Sequence, residues 1–170
     1  PAGSGKSTLI RAIVNWANHC GRVCDVTAMT GCAALLLGCK AKTLHSWSGI
    51  RLGRGTVDAL VKDIIGSPWA KRRWIQVQIL IIDEVSMMTP ELLEKLDAIG
   101  RRVRRAASKP WGGIQLVLCG DFFQLPPVMK GMDIGTGVGR FAFDSPVWST
   151  MKLVTVALSK IERQTDHTFQ

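Results

Sequence analysis

The sequence is short of acid, of long apolar runs and of paired cysteines. Thirteen Asp and Glu face 22 Lys and Arg, a formal net charge of +9 with a pI near 9.8. No apolar run approaches the ~18 residues that a membrane-spanning helix needs, and no basic-then-apolar leader opens the chain. Cysteines stand at 20, 24, 32, 39 and 119. None forms Cys-x-x-Cys, and no paired Cys/His spacing marks a zinc site. His19, Cys20 and Cys24 lie close in sequence, but a helix end and a strand start orient tetrahedral ligands poorly. We read the cysteines as buried, reduced thiols of an intracellular protein. Internal repeats and low-complexity stretches are also missing. Pro1 to Thr8 opens without Met or a preceding strand, and Phe169-Gln170 closes as abruptly, so a piece of a longer chain is expected.

The chain has 170 residues, 46% hydrophobic and 21% charged, enough for one domain with a real core. A well-cored domain this basic often meets a polyanion, most simply nucleic acid. Along the chain, strand and helix patterns alternate. Thr8–Cys20 reads as a helix with Leu9, Ile13 and Trp16 on one stripe, closed by Gly21. Val23–Ala28 reads as a strand, Ala33–Leu37 as a short helix, and Val57–Ile65 as an amphipathic helix. Ile79-Leu80-Ile81-Ile82 is apolar without alternation, as a strand covered on both faces should be. Thr89-Pro90 starts a helix with a hydroxyl cap and proline in the first turn. Ile114–Cys119 and Leu153–Leu158 read as further strands. Such alternation predicts an α/β fold, a parallel sheet sandwiched by helices.

Three segments carry chemistry. Gly3-Ser4-Gly5-Lys6-Ser7-Thr8 is the end of a P-loop, G-x-x-x-x-G-K-[ST]. Its glycines let backbone N–H groups converge on phosphate oxygens, and the following helix points its positive end at them. Ala2 through Thr8 are therefore candidate nucleotide-binding residues. Lys6 would reach the outer phosphates of ATP, and Ser7 would hold Mg²⁺. Asp83 and Glu84 end the buried Ile79–Ile82 strand, where a parallel sheet presents its ligand crevice. Asp83 would bind the magnesium and Glu84 would deprotonate the attacking water. Leu116 to Val128 runs from strand into a proline-stiffened loop. There Gln124 could feel a terminal phosphate, or Asp121 could simply cap a helix.

These segments occur in order with Thr27-Ala28-Met29-Thr30-Gly31-Cys32-Ala33-Ala34, Thr43-Leu44-His45-Ser46, Gly120-Asp121-Phe122-Phe123-Gln124-Leu125-Pro126-Pro127-Val128, Phe143-Asp144-Ser145-Pro146-Val147-Trp148 and Arg163-Gln164-Thr165-Asp166. Together they closely resemble the first RecA-like P-loop NTPase domain of the Pif1 family of superfamily-one DNA helicases, over essentially the whole chain. The resemblance implies an ATP- and Mg²⁺-dependent motor translocating 5′ to 3′ on single-stranded DNA and unwinding duplex DNA, in repair, recombination and telomere or genome maintenance. It implies a second RecA-like domain as partner, and nucleus, mitochondrion or bacterial cytoplasm as location. Lys6, Glu84, Gln124 and Arg163 take catalytic roles, with Gln124 as phosphate sensor and Arg163 as arginine finger. Glu162, beside that finger, departs from the bulky residue expected there. Thr30, Thr43 and His45 fall in the single-strand contacts, and residues 129–140 fall where a strand-separating wedge lies. A RecD-like or transposon-borne helicase shares the motor, and a domain that only binds nucleotide or DNA is the non-enzymatic alternative.

Trp16, Trp47 and Trp148 read as packing residues. Trp69, Trp74 and Trp111, flanked by Lys, Arg or Gly, are the ones placed to stack on bases. Two cation runs remain, Lys71-Arg72-Arg73 and Arg101-Arg102-Val103-Arg104-Arg105. The second complements a helix C-terminus or holds phosphate.

Overall fold

The computed structural model describes residues 4–127 and 141–158. Four parallel strands form its sheet: β1 (Cys24–Ala28), β2 (Lys42–Thr43), β3 (Ile79–Asp83) and β4 (Gln115–Leu118), in the order β2-β1-β3-β4. Seven α-helices are described: α1 (Lys6–His19), α2 (Gly31–Leu37), α3 (Leu44–Ser48), α4 (Val57–Gly66), α5 (Pro68–Gln76), α6 (Pro90–Val103) and α7 (Pro146–Thr150). Strand β3 is central and buried at all five positions. Its side chains alternate between faces. Ile79 and Ile81 join Val26 and Ala28 under α1 and α2, through Ile10, Ala17 and Leu37. Leu80 and Ile82 face the larger core beneath α3 to α6, with Trp47, Ile64, Trp74, Leu93, Leu96 and Ile99. Each fully buried Leu or Ile contributes roughly 1.5–3 kcal/mol, which is why Ile79–Ile82 needs no polar face.

Local signals set the boundaries. Thr30, Thr43, Thr56 and Thr89 each accept a backbone N–H at the start of α2, α3, α4 and α6, a cap worth about 1 kcal/mol. Helix α1 starts at Lys6 instead of Thr8, behind Gly5 at φ 86°. Two expectations fail. Leu153–Leu158 forms no strand: Val154 and Val156 are exposed and no ladder partner is described for them. Trp16 is 54% exposed, because its position on α1 turns it away from the sheet that Ile10 and Ala17 cover.

The α6 cation run is mostly structural. Arg101 pairs with Asp97 at 2.6 Å and Arg102 with Asp58. Arg104 donates to the carbonyls of Trp74, Ile75, Val77 and Gly112. In the same region the turn Pro110–Gly113 lies on α6. The buried Asp97 carboxylate accepts the Trp111 N–H at 2.7 Å. A Cβ on Gly100 would stand 2.9 Å from the Trp111 carbonyl. Replacing a mid-helix glycine by alanine ordinarily stabilises by up to ~1 kcal/mol. Here the sign reverses: Gly100→Ala is expected to lower the unfolding free energy by about 1–3 kcal/mol in a denaturant titration. An unchanged midpoint would show that the 110–113 turn is not pressed onto the helix.

Candidate active site

The site lies at the C-terminal ends of β1, β3 and β4. A parallel ladder exposes carbonyls and following loops there, and three bonds tie those loops together. Met29 N–H donates to Asp83 O at 3.2 Å, Cys119 N–H to Ile82 O at 2.9 Å, and Val85 N–H to Cys119 O at 3.0 Å. Thr27 Oγ1 donates to Ile81 O at 2.8 Å inside the sheet. The loops at this end of the sheet are thus tied to one another through the backbone.

Asp83 is buried, and burial raises its carboxyl pKa, while the Glu84 N–H and the Lys6 ammonium pull it down. Its Oδ1 is buried without a hydrogen-bond partner. Glu84 is half-buried; burial raises its pKa, and Asp83 and Asp121 raise it further against the pull of Lys6. The Lys6 ammonium, in the first turn of α1, therefore acts electrostatically on both carboxylates. Glu84 also has left-handed backbone, φ 56° and ψ 40°. For a non-glycine residue this costs on the order of 1 kcal/mol and is typical of functional turns.

The β4 loop brings in Gln124. Its Nε2 donates to Asp121 Oδ2 at 3.2 Å, and its backbone N–H to Asp121 O at 2.9 Å. Asp121 Oδ1 accepts the Phe123 N–H at 3.1 Å, which holds its pKa below the usual carboxylate range. Asp121 thus caps a turn and orients Gln124; no helix begins there, so the helix cap expected of it is not formed. Phe122 anchors the loop against Phe143 and Phe141, at ring-centroid distances of 5.0 and 5.6 Å. Phe123 is fully exposed. Ser4, Gly5, Lys6, Ser7 and Thr8 all stand at the start of α1. Ala2, Gly3, Arg163, Glu162 and the expected wedge at 129–140 lie outside the described residues.

The start of α1, the acidic strand end and the β4 loop thus lie close enough for Lys6 and Asp121 both to act on Glu84. The sequence model of the PIF1-like helicases matches residues 1–170. The chain belongs to that family. It is 43% identical over 168 residues to the ATP-dependent DNA helicase RRM3 of Saccharomyces cerevisiae, covering 98% of this chain and 22% of that protein. The crystal structure of Pif1 helicase from Candida albicans superposes with a TM-score of 0.84 at 43% identity, over 94% of this chain and 35% of that one. Pif1 from Bacteroides in complex with ADP-AlF3 and ssDNA gives 0.77 at 34% identity, over 98% of this chain and 38% of that one. A structure addressing DNA unwinding at forked dsDNA by two coordinating Pif1 helicases gives 0.78 at 35% identity, over 98% and 40%. The chain therefore spans about a fifth to two fifths of the relatives it matches.

The remaining expected residues of this PIF1-like domain flank the same rim. Thr30 and Thr43 are committed to capping α2 and α3, each accepting an N–H at 3.2 Å; their hydroxyl protons remain as donors. His45 lines a cavity of about 360 Å³ with Met29, Leu52, Thr89 and Lys95. Burial lowers its pKa, so the imidazole is a neutral hydrogen-bonding group at neutral pH. Of the three expected stacking tryptophans only Trp69 is exposed. Trp74 and Trp111 are fully buried, since Trp74 sits between the Trp47 and Trp111 rings at centroid distances of 4.9 and 6.3 Å. Trp47 is buried, as expected, and donates to Asp25 at 2.7 Å. All five cysteines are free; contrary to expectation Cys20, Cys32 and Cys39 are exposed, because they sit at helix ends and in a turn. Burial pushes the thiols of half-buried Cys24 and Cys119 up to about 11. No metal-binding cluster of His, Cys, Asp and Glu occurs among the described residues.

The raised Asp83 carboxyl sets a stability signature. Its folded pKa lies above its unfolded value, so ligand-free stability is fullest below the ordinary carboxylate range and falls as pH rises through the folded pKa. Asp83→Asn removes that loss. Thermal melts without ligand should place the variant above wild type at about pH 7 and close to it at about pH 4. A difference that does not change with pH contradicts the assignment.

Proposed function

We propose that this chain is the nucleotide-hydrolysing first RecA-like domain of an ATP-dependent DNA helicase. The observation that carries this reading is that the Lys6 ammonium at the start of α1 acts on both the Asp83 and Glu84 carboxylates at the end of β3. In this reading the α1 N-terminus and Lys6 hold the outer phosphates. Mg²⁺ fits the site: the buried, partnerless Asp83 Oδ1 and the Ser7 hydroxyl are hard oxygen donors suited to it. When bound, magnesium supplies charge neutralisation between the outer phosphates. Glu84, kept basic but raised, accepts the proton of the attacking water. Gln124, tethered to Asp121, registers the presence of the terminal phosphate and passes its loss to the Phe122-anchored loop. Arg163 is assigned as the arginine finger of the same reaction.

The DNA side of the proposal rests on family membership and on the rim residues Thr30, Thr43 and His45. We assign them to single-stranded DNA, with 5′-to-3′ translocation driven by closure against a second RecA-like domain. Duplex unwinding in repair, recombination and telomere or genome maintenance follows as the role, in a reducing compartment (nucleus, mitochondrion or bacterial cytoplasm) suited to five free thiols. The solved relative bound to ADP-AlF3 and ssDNA supports this assignment.

In the full-length protein, Lys6→Ala should abolish nucleotide binding and turnover. ATPase surviving intact would remove the phosphate role of Lys6. Glu84→Gln should retain Mg-ATP in an equilibrium binding assay while slowing turnover by about 10²–10⁴-fold. Loss of binding together with turnover would make Glu84 structural. A strand-displacement assay with 5′- and 3′-tailed duplexes should give unwinding on the 5′ tail alone; equal unwinding on both contradicts the polarity.

A further inference from the structure

The two cation runs, about thirty residues apart in sequence, converge in space. A cleft of about 430 Å³ is lined by Lys71, Ile75, Val103, Arg104, Arg105 and Gly112, with no carboxylate among them. The other four cations of these runs have internal partners. Arg72 donates to Gln76, Arg73 to the Ser46 and Trp47 carbonyls at the end of α3, Arg101 to Asp97 and Ala107 O, and Arg102 to Asp58. Lys71 and Arg105 are exposed at the cleft. Arg104 is fixed between them: its Nε and Nη1 are taken up by four main-chain carbonyls. Its charge is thereby held in place without side-chain entropy left to lose. Three cations gathered without a counter-charge repel one another, and a concave wall focuses their field outward. Such a site takes a strongly acidic ligand that follows a groove, and the phosphate backbone of nucleic acid is that ligand.

The cleft lies on the opposite rim of the sheet from the hydrolysis site. Arg104 binds the carbonyls of Trp74, Ile75 and Val77, just ahead of β3, whereas Asp83 ends β3. A five-residue strand spans ~16 Å. The proposed single-strand contacts stand at the Asp83 end, so the cleft is off that track. We propose that Lys71 and Arg105, beside the fixed charge of Arg104, hold the phosphate backbone of the duplex arm of a forked substrate. This rests on the helicase reading above.

The test compares wild type with Lys71→Gln/Arg105→Gln in the full-length protein; Arg104 is left alone because it holds four carbonyls. Affinities for a forked duplex and for a single strand of equal length are measured from about 50 to 200 mM salt. The double variant is expected to bind the fork about tenfold more weakly at about 100 mM salt, with its log K against log salt slope reduced by about 2. Single-strand affinity, melting temperature and basal ATPase stay at wild-type values. Unchanged fork affinity and slope would overturn the proposal. An equal loss on single strand and fork would overturn the duplex assignment, since the cations would then serve the single-strand track. If wild type bound neither DNA, the helicase reading itself would fall, which distinguishes the two failures.

Discussion

One constraint organises the molecule: two carboxylates must be held part-buried at the end of a fully apolar strand, opposite a lysine. Burial alone makes an ionised carboxylate costly. Asp83 and Glu84 tolerate it because the Lys6 ammonium acts electrostatically on both and the Glu84 N–H bonds Asp83. The Ile79–Ile82 strand places them there, and it can do so only because helices cover both of its faces. The sheet, the two cores and the left-handed turn at Glu84 all serve that placement. In the proposed reading, this acid pair, left raised and incompletely satisfied, takes a cation and a phosphate chain.

The rest of the chain stiffens this arrangement at a distance. Asp97 and Arg104 pin the Pro110–Gly113 turn and the start of β3 to α6, and so fix the strands entering the crevice. Arg73 and Trp74 hold the last carbonyls of α3, while Thr43 holds its first turn. A five-residue helix is too short to persist alone. It survives here because Thr43 caps its start and Arg73 and Trp74 hold its end. The polar network is therefore concentrated where the backbone has to deliver short elements and loops to the rim.

Much of this was legible in the sequence, for physical reasons. Ile79–Ile82 announces a strand covered on both faces, and Thr89-Pro90 announces a helix start. The P-loop and the acidic strand end are local patterns whose spacing survives folding. What was illegible depends on faces. Trp16 shares a stripe with Leu9 and Ile13, yet the buried contacts of α1 are centred on Ile10 and Ala17. Trp74 and Trp111 have polar or glycine neighbours in sequence, yet form the middle of the core. Leu153–Leu158 has strand composition but gains no ladder. The arginine run offered both a structural and a phosphate-binding reading, and only tertiary contacts divided it: Arg101, Arg102 and Arg104 tie the fold together. The orienting role of Asp121 needed the loop closed on itself.

The central claim concerns the protonation and ligation of one carboxyl group. A carbon-13 NMR titration of the Asp83 carboxyl, with and without magnesium and a non-hydrolysable ATP analogue, measures it directly. The account predicts a pKa above the usual carboxylate range in the free protein, falling below that range when metal and nucleotide bind. A pKa that starts at the ordinary value, or that ignores metal and nucleotide, would contradict it.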